Sequence, residues 1–132
     1  MKYLFGVLCC LMLCCVFVQY NDPDPFIWML LYGFCALILG LAAFGIYTRN
    51  LLYAGYIIFG AGFIMLFPSV IEWISIEKGQ NLMERMQNSK AYIEESRECL
   101  GLGLCILFIS LIWIPIIKKR RSLQINSMQN TK

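Results

Sequence analysis

The chain has 132 residues and a formal net charge of +3, and 60% of its residues are hydrophobic, against roughly 45–50% in soluble domains. Four stretches carry no charged residue, namely residues 3–21, 25–48, 50–71 and 99–117, which are 19, 24, 22 and 19 residues long. A helix needs about 20 residues to cross a hydrocarbon core of about 30 Å. Because a soluble protein of this size has no room to bury four such segments, the composition predicts an all-α membrane protein, a bundle of four transmembrane helices.

The first apolar stretch begins like a signal peptide, because Lys2 precedes it. It is longer than a signal-peptide core, and no small-x-small cleavage site follows it. Leu13 precedes Cys14 at the position where a lipoprotein site has a small residue. We therefore expect helix 1, residues 3–20, to stay in the mature protein.

Residues 19–28 read QYNDPDPFIW and connect the first helix to the second. The prolines disfavour helical geometry in the residues before them, and Pro25 suits the first position of a helix. Asn21 and Asp24 have side chains that cap exposed backbone N–H groups. The stretch predicts a short, self-capped hairpin loop with Trp28 in an aromatic belt at the interface.

Helix 2 is expected over residues 25–47 and helix 3 over residues 51–68. Pro68 predicts a kink or a break at the end of helix 3, because proline lacks a backbone N–H. The residues after it resemble an interfacial segment with Glu72 on its wet side. Apolar residues at roughly helical spacing within residues 78–92 predict a short outer interfacial helix between helices 3 and 4.

Helix 4 is expected over residues 95–117, which completes a single transmembrane domain of residues 1–117 before a basic tail, residues 118–132. In this arrangement the end with both termini carries a net charge of +7 and no acid, and the other end carries −4 and all eight acids. The positive-inside rule then places both termini in the cytoplasm. The basic cluster at residues 118–121 is either a plain stop-transfer anchor or a binding site for anionic lipid head groups.

Small residues recur at helical spacing in helix 2, and a shorter pair occurs in helix 4. Small residues let helix backbones approach closely in lipid, so we expect helix 2 to pack through its stripe. The helix 2 stripe is Gly33, Ala36, Gly40 and Ala43, and the helix 4 pair is Gly101 and Cys105.

The chain has seven cysteines and no histidine. Adjacent cysteines on a helix point in different directions, and a buried cysteine often behaves as a small hydrophobic residue. A catalytic cysteine also needs a base. We expect the cysteines to serve in packing, and we expect no catalytic residue, metal or cofactor. The alternative is a metal or redox role for the cysteines.

An acidic rim at the outer end is the remaining polar candidate. Glu94, Glu98 and Gly101 share one face of helix 4 by their spacing, which directs the two carboxylates toward the bundle mouth. Arg97 neighbours Glu94 and Glu98 in the helix, and we expect it to reach Asp22 or Asp24 across the rim as well. The rim is either a structural charge network or a site for a cation or polar ligand. Its candidate residues are Asn21, Asp22, Asp24, Trp28, Glu72, Glu94, Glu95, Arg97 and Glu98.

Three motifs between residues 18 and 102 resemble the transmembrane protein 220 family, particularly its short bacterial members: QYNDPDPFIW with Tyr32, FPSVIEW, and YIEESRECLGL. The resemblance implies a small multi-pass protein of a bacterial inner or plasma membrane, and it implies no established molecular activity. The cysteine pairs are not part of the family pattern. The residues that the resemblance marks for testing are Asp22, Pro23, Asp24, Trp28, Glu72, Trp73, Glu94, Glu95, Arg97 and Glu98.

We therefore expect a non-enzymatic integral membrane protein that acts by interaction with lipid, a protein partner or a second copy, and not with nucleic acid. The alternative is an outward-facing protein that binds or transports a ligand or cation through the acidic rim. A polar cavity continuous with the rim would favour the alternative.

Overall fold

The computed structural model describes residues 1–21, 25–77 and 91–129, which are helical apart from short turns. The described residues form α1 (Lys2–Val18), α2 (Pro25–Ala43), α3 (Arg49–Glu77), α4 (Ala91–Leu111) and α5 (Trp113–Gln129), with a 3-10 turn at Gln19–Asn21. Helix α1 packs along α2, and α3 packs along α4. The two pairs meet where α2 lies against α3 and α4. The outer helix predicted within residues 78–92 lies outside the described residues, apart from residues 91 and 92, which begin α4.

Three stretches of the described residues are long and apolar enough to cross a membrane: Pro25–Ala43, Arg49–Ile76 and Ala91–Ile125. Helix α1 is also apolar but has 17 residues, which cover about 26 Å at about 1.5 Å per residue. Large apolar side chains such as Phe17 are exposed on the outside, as expected where the solvent is lipid. The chain is a multi-pass, all-helical membrane protein.

The core is one cluster between the helices, to which α1, α2, α3 and α4 all contribute. Its fully or nearly fully buried members include Phe5, Met12, Cys35, Leu39, Leu52, Phe59, Leu102, Cys105 and Ile109. These side chains fill the centre of the bundle, so the polar residues of interest lie toward its ends.

Helix α2 begins at Pro25, as predicted, and ends at Ala43, four residues before the expected position. The end is a glycine turn in which Gly45 has a φ of 84°. The Ile46 N–H donates to the Leu41 carbonyl at 2.9 Å, and the Gly45 N–H donates to the Ala42 carbonyl at 3.0 Å. This pair of bonds satisfies carbonyls that the helix end leaves without partners, and it requires a left-handed residue at position 45.

Helix α3 does not end at Pro68 but continues through it to Glu77. The segment expected to lie in the interface, with Glu72, is therefore the last part of α3. A proline removes one N–H and its helical hydrogen bond, whereas the turns on both sides keep theirs. In a membrane, neighbouring helices and serine side chains support such a position.

The last predicted helix is divided at Ile112 into α4 and α5, and α5 carries the helix on through most of the basic tail. Pro115 explains the division, because it has no N–H for the carbonyl of Leu111 and its ring crowds that carbonyl. The Ile112 N–H donates instead to the Ile109 carbonyl at 3.2 Å, a tighter i−3 bond. Pro115 then lies in the first turn of α5, where a missing N–H costs little.

The small-residue stripe of α2 packs closely at only some of its positions. Ala36 is buried, and its carbonyl accepts a hydrogen bond from the Cys9 thiol at 3.3 Å. A Cβ added at Gly40 would meet Cys9 Sγ at an ordinary 3.5 Å, and one added at Gly33 would meet no described atom within 4 Å. Gly33 and Gly40 line an open apolar groove of about 400 Å³ beside α1. Among the described residues, the stripe therefore packs against α1 at Ala36 and Gly40 and is open at Gly33.

Tighter glycine contacts join α3 to α4. A Cβ at Gly62 would lie 2.7 Å from Leu102 Cδ1, and one at Gly55 would lie 3.2 Å from Ile109 Cδ1. Both glycines belong to one face of α3, seven residues apart. That face allows the backbones of α3 and α4 to approach each other.

Candidate functional site at the acidic end

Helix α3 ends and α4 begins at the end of the bundle that carries the acids, which we call the acidic end. The Ser69 hydroxyl of α3 donates a hydrogen bond to Oε2 of Glu95 on α4. Since an ionised carboxylate is a stronger acceptor than a neutral oxygen, this bond ties the two helices together. We call Ser69, Glu95 and Ser96 the serine clamp.

Ser96 is the polar member of the core at this end, with an exposed fraction of 0%. Its hydroxyl lies 2.6 Å from the Tyr92 carbonyl of its own helix and 2.9 Å from the Ser69 carbonyl of α3. A hydroxyl has one hydrogen, so these two carbonyls share it. A buried hydroxyl that lost its partners would destabilise the fold, and this one is placed to hold α3 against α4.

The carboxylates of the predicted rim differ in their surroundings. Glu94, Glu95 and Glu98 are half-buried, whereas Glu72 is exposed on α3. Arg97 is half-buried too, and its Nη2 atom is buried. The charged residues of α4 are thus partly covered by the rest of the bundle, whereas Glu72 is not.

The inward direction predicted for the Glu94 and Glu98 face is consistent with the residues farther along it. Cys105 is fully buried, and Gly101 packs directly against Tyr32 of α2. A Cβ added at Gly101 would overlap Tyr32 Oη and would lie 3.1 Å from Tyr32 Cζ. The Tyr32 ring therefore fits against α4 because residue 101 has no side chain.

Trp28 lies in the core, which corrects its expected place in an aromatic belt. It is 8% exposed, and its ring centroid lies 6.3 Å from that of Tyr32. Trp28, Tyr32 and Cys35 follow one another on a single face of α2, and that face is turned toward α4. Trp28 is therefore buried because it lies on the face of α2 that packs against α4.

Three predicted rim residues belong to the first loop. The backbone of Asn21 closes the 3-10 turn after α1, whereas Asp22 and Asp24 lie outside the described residues. Contact between these aspartates and Arg97 therefore stays a prediction.

An apolar cleft of about 280 Å³ lies between α1, α2 and α4 near the acidic end. Met12, Cys15 and Leu104 line it, together with the Tyr32–Gly101 contact. Of the rim carboxylates that the structure describes, Glu72, Glu94, Glu95 and Glu98, none lines this cleft, and its lining is mainly apolar apart from Gln19 and the Tyr32 hydroxyl.

The cysteines contribute small side chains and weak hydrogen bonds. Cys35, Cys99 and Cys105 are buried, and the Cys99 thiol lies 3.5 Å from the Phe63 carbonyl of α3. Cys10 and Cys14 are exposed on α1. Among the described residues, no group of three or more cysteine or acidic side chains is arranged to hold a metal ion.

Sequence reasoning missed both serines of the clamp. Ser96 is three residues from Ile93 and three from Cys99, all of them buried, so it interrupts an otherwise apolar helical stripe. That interruption is a readable signal of a buried hydroxyl in need of a partner. Ser69 gave no comparable signal, because its role depends on how α3 meets α4.

The comparisons with known proteins agree with the helical membrane architecture. A sequence model of transmembrane family 220, helix, matches residues 3–114. The chain belongs to transmembrane family 220. The match covers α1 from its second residue onward and all of α2, α3 and α4, and it includes every residue of the predicted rim. No curated protein and no solved structure matches this member of transmembrane family 220 significantly.

Proposed function

We propose that the protein is a non-enzymatic, structural or interaction protein of the membrane, which acts through contacts with lipid or with a protein partner. In this proposal the polar residues of the acidic end hold the bundle together. The observation that carries the proposal is the serine clamp, in which the Glu95 carboxylate accepts a hydrogen bond from Ser69. A carboxylate engaged by the fold in this way is less available to an external ligand.

Two further features support a structural role. Trp28 and Tyr32, which belong to the most distinctive motif of the chain, pack in the core. The cleft nearest the rim is lined mainly by apolar side chains. Packing between α2, α3 and α4 thus supports a structural role for Trp28 and Tyr32.

The competing function is the binding or transport of a cation or polar ligand at the acidic end. It is favoured by the half-buried carboxylates Glu94 and Glu98, since ionisable groups near membrane depth tend to be functional. The two functions differ in whether a cation stabilises the protein through these carboxylates.

We also propose that α1 crosses the membrane, so that the chain crosses four times with both termini in the cytoplasm. Its apolar length of about 26 Å is close to the hydrocarbon thickness, and the 3-10 turn lengthens it. Helix α1 also packs along α2, which itself is long enough to span.

The experiment compares Glu95→Gln with Glu72→Gln, which removes the same charge from an exposed position. Thermal unfolding of the purified protein in mild detergent would be measured with and without Na⁺, K⁺, Mg²⁺ or Ca²⁺. We expect Glu95→Gln to destabilise by about 1 kcal/mol, because it weakens a charge-assisted hydrogen bond, and Glu72→Gln to have little effect. A saturable, cation-specific stabilisation of the wild type that is lost in Glu94→Gln or Glu98→Gln and kept in Glu72→Gln would establish the competing function.

A further inference from the structure

A second cleft, of about 270 Å³, lies at the opposite end of the bundle, where α2 turns into α3 and α5 passes alongside. We call it the basic cleft. The turn contributes Gly45 and Tyr47, and α3 contributes its first residue, Arg49. Helix α5 forms the other wall with Ile116, Lys119, Arg120 and Leu123. The residues of α5 are spaced by three, one and three, so they share one helix face.

The cleft concentrates positive charge from two directions. Arg49 faces it from α3, and Lys119 and Arg120 face it from α5. Lys2 adds a fourth cation, because its Nζ atom lies 3.5 Å from the position of a Cβ on Gly45. The sequence places no acid between residues 25 and 71 or after residue 98. The charge of the cleft therefore has no acidic neighbour in the segments that form it.

The backbone adds to this preference for an anion. The first hydrogen bond of α3 runs from the Leu52 N–H to the Thr48 carbonyl, at 3.2 Å. The N–H groups of the preceding helical turn point out of a helix N-terminus, where phosphate groups are favoured. Arg49 belongs to that turn and lines the cleft, so the N-terminus of α3 borders the cleft.

The cleft also has an apolar part. Ile116 and Leu123 line it on α5, and Ile116 is half-buried at the point where α5 leaves the uncharged segment. A free inorganic anion would make no favourable contact with these apolar side chains. A phosphate attached to a glycerol and acyl chains would place its charge near Arg49 and Arg120 and its apolar part near Ile116.

We propose that the basic cleft binds the phosphate group of an anionic phospholipid. This site deepens the proposed function, since it rests on a role through lipid contact and names one such contact. It differs from a plain stop-transfer anchor because a defined subset of the basic cluster would hold the lipid. Its residues are remote from Glu95, so its test and that of the acidic end fail independently.

Two double variants of equal charge provide the test. Lys119→Gln with Arg120→Gln removes two cations from the cleft. Lys118→Gln with Arg121→Gln removes two neighbouring cations of α5 that do not line it. All four side chains are exposed, and size-exclusion chromatography would verify that both variants fold. Binding of phosphatidylglycerol, phosphatidylcholine and inorganic phosphate to the full chain would be measured in neutral detergent by native mass spectrometry and thermal shift.

We expect saturable binding of phosphatidylglycerol by the wild type and little binding of phosphatidylcholine. The cleft variant should weaken phosphatidylglycerol binding by about tenfold or more, since each basic residue near an anionic surface contributes substantially, and the control variant by less than about twofold. Equal losses in the two variants would mean a general attraction and overturn the proposal. Equally strong cleft-dependent binding of inorganic phosphate would overturn the assignment to lipid.

Discussion

At the scale of single residues, one absent Cβ sets how closely α2 and α4 approach. The Tyr32 hydroxyl occupies the space that any side chain at position 101 would need. Gly101 also lies about two turns from the half-buried Glu94 on the same face of α4. Its contact with Tyr32 therefore indicates that this face turns toward α2. A larger residue at position 101 would therefore overlap the side chain of Tyr32.

We expect Gly101→Ala to destabilise the protein by about 1–3 kcal/mol, because overpacking a close contact forces side chains or backbones to shift. Tyr32→Phe removes the overlapping hydroxyl, so the double variant should lose less than the sum of the two single losses. Thermal unfolding in mild detergent would measure all three. Gly60→Ala is the matched control, because no described atom lies within 4 Å of its added Cβ; if it destabilises as much as Gly101→Ala, the contact with Tyr32 is not the cause.

At the scale of helices, two prolines have opposite effects. Helix α3 continues through Pro68, and the residue that follows, Ser69, is held against α4 by the serine clamp. Helix α3 also contacts the residues around the division before Pro115, since the Tyr56 hydroxyl donates to Ser110 Oγ at 2.9 Å and the Tyr53 and Trp113 ring centroids lie 6.0 Å apart. The helix nevertheless divides before Pro115, and the local sequence around either proline does not show which outcome to expect.

We expect Pro115→Ala to join α4 and α5 into one helix, because alanine restores an N–H for the Leu111 carbonyl and removes the ring that crowds it. Backbone amides of residues 112–116 should then exchange hydrogen more slowly, which hydrogen–deuterium exchange with mass spectrometry measures in detergent or nanodiscs. Gly60→Ala controls for the presence of a new alanine elsewhere. Unchanged or faster exchange at residues 112–116 would show that Pro115 does not cause the division.

Local patterns in the sequence predicted part of the fold and site, whereas contacts between helices could not be read from it. Apolar length predicted the three stretches that are long enough to span, since lipid imposes one requirement on every spanning segment, and the crossing by α1 stays a prediction. Spacing along α4 predicted that Gly101 and Cys105 face inward, because helical periodicity is local. The partners Ser69 and Tyr32 and the burial of Trp28 depend on contacts between helices, so one sequence did not reveal them.

At the scale of the whole molecule, every acid that the structure describes lies at the acidic end, and every described basic residue except Arg97 lies at the opposite end. Reporter fusions at residue 132 and within residues 78–90 should report opposite sides of the membrane, the first cytoplasmic, because basic residues are retained there. An epitope at residue 1 should report the same side as residue 132 if α1 crosses. Fusions at residues 132 and 78–90 on one side would contradict the topology.

The packing of α1 along α2 and of α3 along α4 has a consequence for how the protein is made. Each pair joins sequence neighbours, so each hairpin can assemble soon after it leaves the ribosome, before the other half exists. The short turn at residues 44–48 is then the natural point of division. We expect fragments 1–47 and 48–132, coexpressed as separate chains, to insert independently and copurify in mild detergent. Degradation of fragment 1–47 when it is expressed without fragment 48–132 would show that the second half is needed during insertion of the first.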